Sequence, residues 1–204
     1  MIINIPSNEI TNQHISPTAG IELSKLATET RLINVPLELL RVWDAFTSAL
    51  PSAASSDDLG LVQGTFGTAT PTVQSIDFKN TTTTAYARFL ARLPHNYVAA
   101  GTLDVVIYAG AKTTVASSAM TLDVEAYQKN LASGAVSGTD LVTTSPISIN
   151  STTLAARTFS LTSSTLSPND EIDVRIKVTG TDSATPTEVA ALISRVCLQL
   201  QLRG

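Results

Sequence analysis

The sequence predicts an all-β protein, a jelly-roll-like antiparallel β-sandwich with an extended N-terminal arm. The main observation is a phrase that occurs three times: an aliphatic residue, Asp, Val, any residue, then a small or aliphatic residue. Because successive side chains of a strand point to opposite faces, the phrase makes one apolar row and turns its Asp outward. The three copies are Leu103–Ile107, Leu122–Ala126 and Ile172–Ile176.

Two further observations support this fold class. Alternating runs recur with turn residues between them, which predicts roughly eight to ten strands. No 10 to 15-residue helical patterns separate these runs, so a parallel α/β sheet is not expected. An immunoglobulin-like sandwich is the alternative topology, because periodicity does not fix the order of the strands in a sheet.

Residues 1–19 are predicted to form the arm, and residues 20–204 a single β-sandwich domain. The prolines Pro6 and Pro17 discourage both helix and central strand. The alternative is a disordered tail, but solvated tails carry less apolar content than this segment. We therefore expect the arm to order against another subunit or another protein. Its isoleucines are Ile2, Ile3, Ile5, Ile10 and Ile15.

The first elements of the domain are the least regular. Residues 31–42 fit either a helix or an edge strand, and Pro36 together with the β-branched residues favours the strand. Residues 44–50 are expected to make one helical turn before Pro51, and residues 52–58 a loop. Strands are then predicted over residues 59–65, 73–78 and 85–93.

The last elements follow the repeated phrase. Residues 129–145 are rich in Gly, Ser and Thr and predict a long surface loop. The pattern in residues 189–202 is that of a long central strand. Short strands are predicted around Ile147 and Ile149 and over residues 155–161, and a tight turn at Ser167–Asp170.

Composition argues against several classes of partner. The net charge is −4 without a basic cluster, whereas binding to nucleic acid needs clustered positive charge. No stretch approaches the roughly 20 apolar residues that cross a membrane, and the start lacks the pattern of a secretory signal. The single cysteine, Cys197, excludes an internal disulfide framework. Stability is therefore expected from packing or association.

Residue types that carry catalysis or bind metals do not form a recognisable pattern. His14 and His95 are predicted surface residues without a second histidine at ligand spacing. No GxSxG turn marks a nucleophilic serine, and nothing near Cys197 in sequence would activate its thiol. Calcium is a minor possibility at the acidic stretches, which lack the alternation of a calcium loop. No catalytic residue, cofactor or metal site is therefore predicted.

Carboxylates on outward strand positions are the remaining candidates for catalysis, as paired acids of a glycosidase. Solvated charges on a sheet face are the simpler interpretation, with basic residues pairing across strands. The carboxylates are Asp104, Asp123, Glu125 and Asp173, and the expected basic partners are Arg88, Arg92, Arg175 and Lys177.

Apolar residues on outward strand positions predict that part of a second sheet face is covered, either by another protein or by the chain's own loops. Cys197 shares this outward phase. Together with the arm, they give the predicted protein-contact residues: Ile2, Ile3, Ile5, Ile10, Leu90, Val106, Tyr108 and Ile193.

From about residue 20 to the C-terminus, several stretches resemble a family of tailed-bacteriophage and prophage virion proteins with jelly-roll domains. Such proteins typically have Gly where this chain has Asn169, and a left-handed turn position tolerates Asn. The matching stretches are Gly20–Ala27, Val35–Leu37, Leu40–Ala45, Asp57–Leu61, Gly64–Gly67, Ala69–Pro71, Tyr86–Phe89 and Leu166–Ile176.

The resemblance implies a capsid decoration or cement protein, commonly trimeric, that binds the lattice of the major capsid protein on the virion surface. It would be made in the cytoplasm of a bacterial host, and it brings no catalytic residue or cofactor. The alternative is a carbohydrate- or receptor-binding module of a fibre or secreted protein. Its stacking platforms would be drawn from Trp43, Tyr86, Tyr97, Tyr108 and Tyr127.

Overall fold

The computed structural model describes residues 26–78, 82–113, 120–136, 138–181 and 188–203. These residues form ten strands, all paired antiparallel, in two sheets. A 3-10 turn lies at Leu37–Leu39. The strands are β1 Thr28–Val35, β2 Gly60–Val62, β3 Thr72–Gln74, β4 Thr82–Arg92, β5 Leu103–Ala111, β6 Met120–Lys129, β7 Ile147–Ser148, β8 Ala155–Ser160, β9 Glu171–Thr181 and β10 Ala191–Arg203.

The strand order is that of a jelly roll. Sheet A has the order β2-β3-β10-β5-β8, with β1 also paired to β10, and sheet B has the order β4-β9-β6-β7. From β3 onward, eight strands fill two four-stranded sheets, and the chain crosses between the sheets at every connection except β6 to β7. The predicted fold class is confirmed, and the jelly roll is favoured over the immunoglobulin-like alternative.

The repeated phrase occupies interior strands. Its three copies lie in β5, β6 and β9, each of which has a neighbour on both sides. Their apolar rows point between the sheets and join the inward row of β4 in one core. The inward residues of sheet B include Ala85, Ala87, Phe89, Leu122, Val124, Ala126, Ile172, Val174, Ile176 and Val178.

The long last strand is central, as predicted. One edge of β10 pairs with β5, and its other edge pairs with β3 near Leu192 and with β1 from Val196 onward. A β-bulge between Ile193 and Arg195 shifts the alternation by one residue. The prediction that Ile193 faces outward is therefore wrong, since this side chain is 1% exposed in the core.

Other predictions hold in part. Within residues 31–42, the strand ends at Val35 because Pro36 opens the 3-10 turn. Residues 44–50 contain a single turn, closed by the Ser48 N–H on the Ala45 carbonyl oxygen at 2.8 Å, rather than a helix. Asn169 has a φ of 71°, the left-handed conformation expected at this turn.

The predicted arm lies outside the described residues. Residues 1–25 are not described, so the contact roles of Ile2, Ile3, Ile5 and Ile10 stay predictions, as does the boundary between residues 19 and 20. Within the described part, no helix is long and apolar enough to span a lipid bilayer.

Candidate functional site

The outer face of sheet B carries a network of ion pairs. The register sets Glu125 opposite Arg175 and Asp123 opposite Lys177, and both pairs form contacts, the second at 3.3 Å. Oppositely charged neighbours on adjacent strands stabilise a sheet. Lys129 likewise binds Glu171 at 2.7 Å. The predicted pairing with basic residues across strands is confirmed for Asp123 and Glu125, whereas the Lys129–Glu171 pair was not predicted.

Arg88 and Asp173 form the most enclosed of these pairs. Two guanidinium nitrogens of Arg88, Nε and Nη2, donate to the two carboxylate oxygens of Asp173, the Nε bond at 2.7 Å. This hydrogen bonding raises the pKa of Arg88, although burial opposes the shift. Asp173 is 6% exposed and Asp104, on sheet A, is 8% exposed. The prediction that these two carboxylates are solvated is therefore wrong.

Arg92, the fourth predicted basic partner, binds none of the carboxylates named with it. Its Nη2 lies 3.5 Å from Oδ1 of Asn169, at the exposed end of β4. Paired acids of a glycosidase need one carboxylate free to take up and release a proton. On sheet B, by contrast, the three outward carboxylates each form an ion pair with a basic side chain. The pairs are Asp123–Lys177, Glu125–Arg175 and Asp173–Arg88.

A segment before β2 folds back along sheet B. Arg41 and Arg88 exchange backbone hydrogen bonds of 2.8 and 3.0 Å, so the segment extends the sheet beside β4. The backbone N–H of Tyr86 donates to the carbonyl of Asp57 at 2.7 Å. The Trp43 Nε1–H donates to Asp57 Oδ2 at 3.0 Å, which closes the segment into a loop. This loop carries Trp43 onto the face of the sheet.

Trp43 and Tyr127 line one surface depression of about 350 Å³ on sheet B. The Trp43 and Tyr86 ring centroids are 4.9 Å apart. The guanidinium of Arg175 lies 5.3 Å from the first ring and 4.9 Å from the second, within cation–π range. Three of the five predicted stacking residues therefore lie close together, which their sequence positions did not indicate.

The other two aromatic residues lie elsewhere. Tyr97 is buried, and its hydroxyl donates to the carbonyl of Gly101 at 2.7 Å, so it offers no ring to a ligand. Burial raises the pKa of this hydroxyl. Tyr108 lies on the outer face of sheet A, with the Arg195 guanidinium 5.8 Å from its ring. Neither residue contributes to the depression.

Asp58 lies at the edge of this region without a complete set of partners. Its Oδ1 is buried and has no hydrogen bond. Burial raises its pKa, and repulsion from Asp57 and Asp44 raises it further. Among the described residues, no group of three or more His, Cys, Asp or Glu side chains is arranged to hold a metal ion.

The outward apolar residues of sheet A are covered by the chain itself. Val106 and Cys197 face away from the core, opposite each other on β5 and β10, yet both are buried. Asn34 of β1 flanks Cys197, with its Oδ1 4.0 Å from the thiol sulfur. Val106 is therefore outward, as predicted, but shielded. Leu90 is exposed on sheet B and Tyr108 half-buried, and their contact roles stay predictions.

A second surface lies at the free end of sheet A, and the sequence did not predict it. Phe66 is fully exposed at the tip of the β2–β3 connection. The backbone N–H groups of Thr68 and Ala69 both donate to the Thr65 carbonyl oxygen at 2.9 Å, and Gly67 has a φ of 81°. These bonds and the left-handed glycine define a compact turn that presents the aromatic ring to solvent.

An apolar groove of about 560 Å³ opens beside this turn, where β1 ends and β3 begins along β10. The bulge in β10 borders this groove, since Ser194 and Arg195 are among its lining residues. Leu39, just past the groove, is exposed as well. The signal for this surface in the sequence was a Phe between turn residues, outside any alternating pattern. The apolar lining of the groove consists of Val35, Pro36, Leu37, Leu61 and Pro71, and its polar lining of Asn34, Glu38, Gln63, Ser194 and Arg195.

No protein-family model and no curated protein sequence matches the chain. Among solved structures, the xylan-binding domain CBM22-1 of Paenibacillus barcinonensis Xyn10C is 9% identical, with a TM-score of 0.39, over 72% of this chain and 82% of that domain. A second structure, from work on the promiscuous specificity of carbohydrate-binding modules of the β-sandwich superfamily, is 9% identical, with a TM-score of 0.39. The match covers 85% of this chain and 56% of that chain.

A structure of infectious bursal disease virus, Gx strain, is 14% identical, with a TM-score of 0.28, over 88% of this chain and 52% of that one. The similar structures thus include both carbohydrate-binding modules and a virus particle. Because TM-scores this low do not establish a shared fold, the fold is assigned from the strand order of this chain.

Proposed function

We propose that this chain is a non-enzymatic virion structural protein that decorates a phage capsid, binding the major capsid protein lattice and stabilising the head. The observation that carries the proposal is Phe66, a fully exposed aromatic ring on a compact turn beside an apolar groove. Large aromatic residues of this kind dominate protein–protein interfaces, and exposing one costs free energy in an isolated chain. The stretch Gly64–Gly67 also belongs to the phage-protein resemblance.

A decoration role needs only binding chemistry. A protein that binds the assembled shell and not its separate subunits stabilises the shell by its binding free energy. The apolar groove and Phe66 supply a contact of that kind, and the predicted arm would add to it. The cross-strand ion pairs of sheet B satisfy charges within the chain, whereas the end of sheet A carries Phe66, the most exposed of the large apolar side chains that the structure describes.

The test compares the full-length chain with Phe66→Ser in binding to heads assembled without this protein. We expect the variant to fold normally and to bind at least about tenfold more weakly, as for the loss of an interface hot spot. Leu154→Ser is the matched control, because Leu154 is also exposed but lies in the loop before β8. Co-sedimentation gives binding, and the temperature at which heads release DNA gives stabilisation.

If heads bind Phe66→Ser and Leu154→Ser as tightly as they bind the natural chain, Phe66 is not the anchor. If heads with and without the natural chain release DNA at the same temperature, the decoration role itself is contradicted. Circular dichroism at the start of each series confirms that the variants are folded.

Carbohydrate binding is the second candidate, and the convergence of Trp43 and Tyr127 on one depression favours it. Sugars bind through stacking on aromatic faces and hydrogen bonds to charged side chains, and Arg175 and Glu125 line the same depression. A glycan array tests it with Tyr127→Ala against Tyr108→Ala, whose ring lies on the other sheet. Binding that is lost only in the first variant would establish this function, and an array without any bound glycan would reject it.

A further inference from the structure

Strand β1 extends sheet A beyond the sandwich. It pairs with β10 on one side, and no described strand pairs with its other side. Its residues from Thr28 to Asn34 are exposed, including Leu32 at 48% and Ile33 at 38%. An edge strand of this kind presents a row of unpaired N–H and C=O groups that can accept another strand.

Several of the usual protections of an edge are missing from this strand. Natural edge strands are often protected by proline, by charged side chains, above all lysine, or by a bulge, and β1 carries only Glu29 and Arg31 of these. The sequence of β1 has no proline or lysine, and its register with β10 runs without interruption from Thr28 to Val35. The edge is therefore regular over its full length, and no strand of the described residues occupies it.

The charges of β1 complement a second copy of the same strand. Glu29 and Arg31 lie two residues apart on one face and bind each other at 2.6 Å. When two copies run antiparallel with Thr30 opposite its own counterpart, each Glu29 faces an Arg31 of the other copy. The four charges then alternate in sign, which is favourable between adjacent strands.

We propose that two copies of this chain associate through β1, paired antiparallel about a two-fold axis that passes between the two Thr30 residues. Moving the two-fold axis by one residue along β1 would change every partner by two residues and would set Arg31 against Arg31 or Glu29 against Glu29. A larger shift would bring Leu32 opposite Leu32 but leave both charges facing apolar residues. The charge pattern selects the register centred on Thr30.

This contact is separate from the proposed attachment to a capsid. It uses the strand edge rather than Phe66, and it is isologous, so it joins copies in pairs. A trimer needs a different, head-to-tail surface. Two chains paired along one strand bury less area than a standard interface of about 1,600 Å² in total, so we expect the dimer to form reversibly with protein concentration.

Cysteine cross-linking of the full-length chain tests the register. Thr30→Cys should form a disulfide-linked dimer under mild oxidation, because opposed residues of adjacent strands have Cα atoms about 4.5–5.5 Å apart. Leu32→Cys alone should not, since its copies would lie about 13 Å apart along the strands. An equal mixture of Thr28→Cys and Leu32→Cys should cross-link, because these positions face each other. The natural chain, whose Cys197 is buried, is the background control.

A charge exchange tests the cause of the register. In the Thr30→Cys background, Glu29→Arg should lower the yield of cross-linked dimer at least about fivefold, and so should Arg31→Glu. The double exchange, Glu29→Arg with Arg31→Glu, restores alternating charges and should return the yield to within about twofold. All of these positions are exposed, so the fold is retained.

Self-pairing is overturned if Thr30→Cys does not cross-link at protein concentrations up to about 1 mM. The register is overturned if Leu32→Cys cross-links alone, and the electrostatic cause is overturned if the double exchange stays as weak as either single one. Sedimentation of the unmodified chain over the same concentrations should show monomer and dimer.

Discussion

The outer face of sheet B and the free end of sheet A differ in whether their side chains have partners within the chain. On sheet B, the charges bind one another across strands, and even the enclosed Asp173 has Arg88 as its partner. At the end of sheet A, Phe66 is fully exposed, and Leu32 of β1 is 48% exposed. The charges of the first region are paired within the chain, whereas the apolar side chains of the second are left exposed, as expected if the second region binds other proteins as proposed.

The largest effect on stability is expected from Asp173→Asn. The substitution leaves the guanidinium of Arg88 partly buried without its carboxylate, and breaking an enclosed ion pair costs about 2–4 kcal/mol. Asp123→Asn is the matched control, because its contact with Lys177 is longer and more exposed, and it should cost less than about 1 kcal/mol. Urea unfolding measures both values. Equal losses would contradict the special role of the Arg88 pair.

A smaller effect of opposite sign is expected from Asp58→Asn. Because folding raises the pKa of Asp58, the folded state prefers the protonated acid, and its contribution to stability falls as pH rises through the folded-state pKa. The neutral amide avoids the cost of burying a charge and also the repulsion from Asp57 and Asp44, so the variant should be more stable at pH 7, by less than about 1 kcal/mol.

The gain should shrink as the pH is lowered, because the acid in the natural chain then takes up its proton and loses its charge. Unfolding curves of both proteins at a series of pH values give this difference directly. A loss of stability at pH 7 would show that Asp58 has partners that its geometry does not reveal.

The smallest effect on stability is expected from Leu32→Ser, within about 0.5 kcal/mol, because a half-exposed residue loses little when it is truncated. Placed in the Thr30→Cys background, the same change should lower the dimer yield, since pairing would bury part of this side chain. A loss of several kcal/mol on unfolding would instead assign Leu32 to the core of the single chain.

Much of the fold follows from local pattern. The Asp–Val phrase predicted β5, β6 and β9, because strands inside a sheet keep strict alternation on the face that meets the core. The same reasoning failed at Ile193, since a one-residue bulge leaves no mark until the partner strand is known. Burial of Asp173 was missed for a similar reason. Its covering comes from Arg88, 85 residues earlier in the chain.

The candidate sites were less accessible to sequence reasoning. Trp43 and Tyr127 meet because a loop folds back along β4, and neither its direction nor its closure by Asp57 can be read from spacing. The exposed Phe66 had a local signal, a lone aromatic residue among glycines and threonines, but alternation gives no information within a turn. The resemblance to phage virion proteins includes the stretch Gly64–Gly67, but it assigns no function to Phe66.

The position of β1 outside both four-stranded layers affects how the chain opens. Only Val35 of this strand joins the core, so β1 can separate from β10 while every other layer stays closed. Local opening of this kind has a low free energy, and backbone amides of β1 should exchange their hydrogens far sooner than those that link β10 to β5. We therefore expect β1 to detach from the sheet while the two four-stranded layers stay folded.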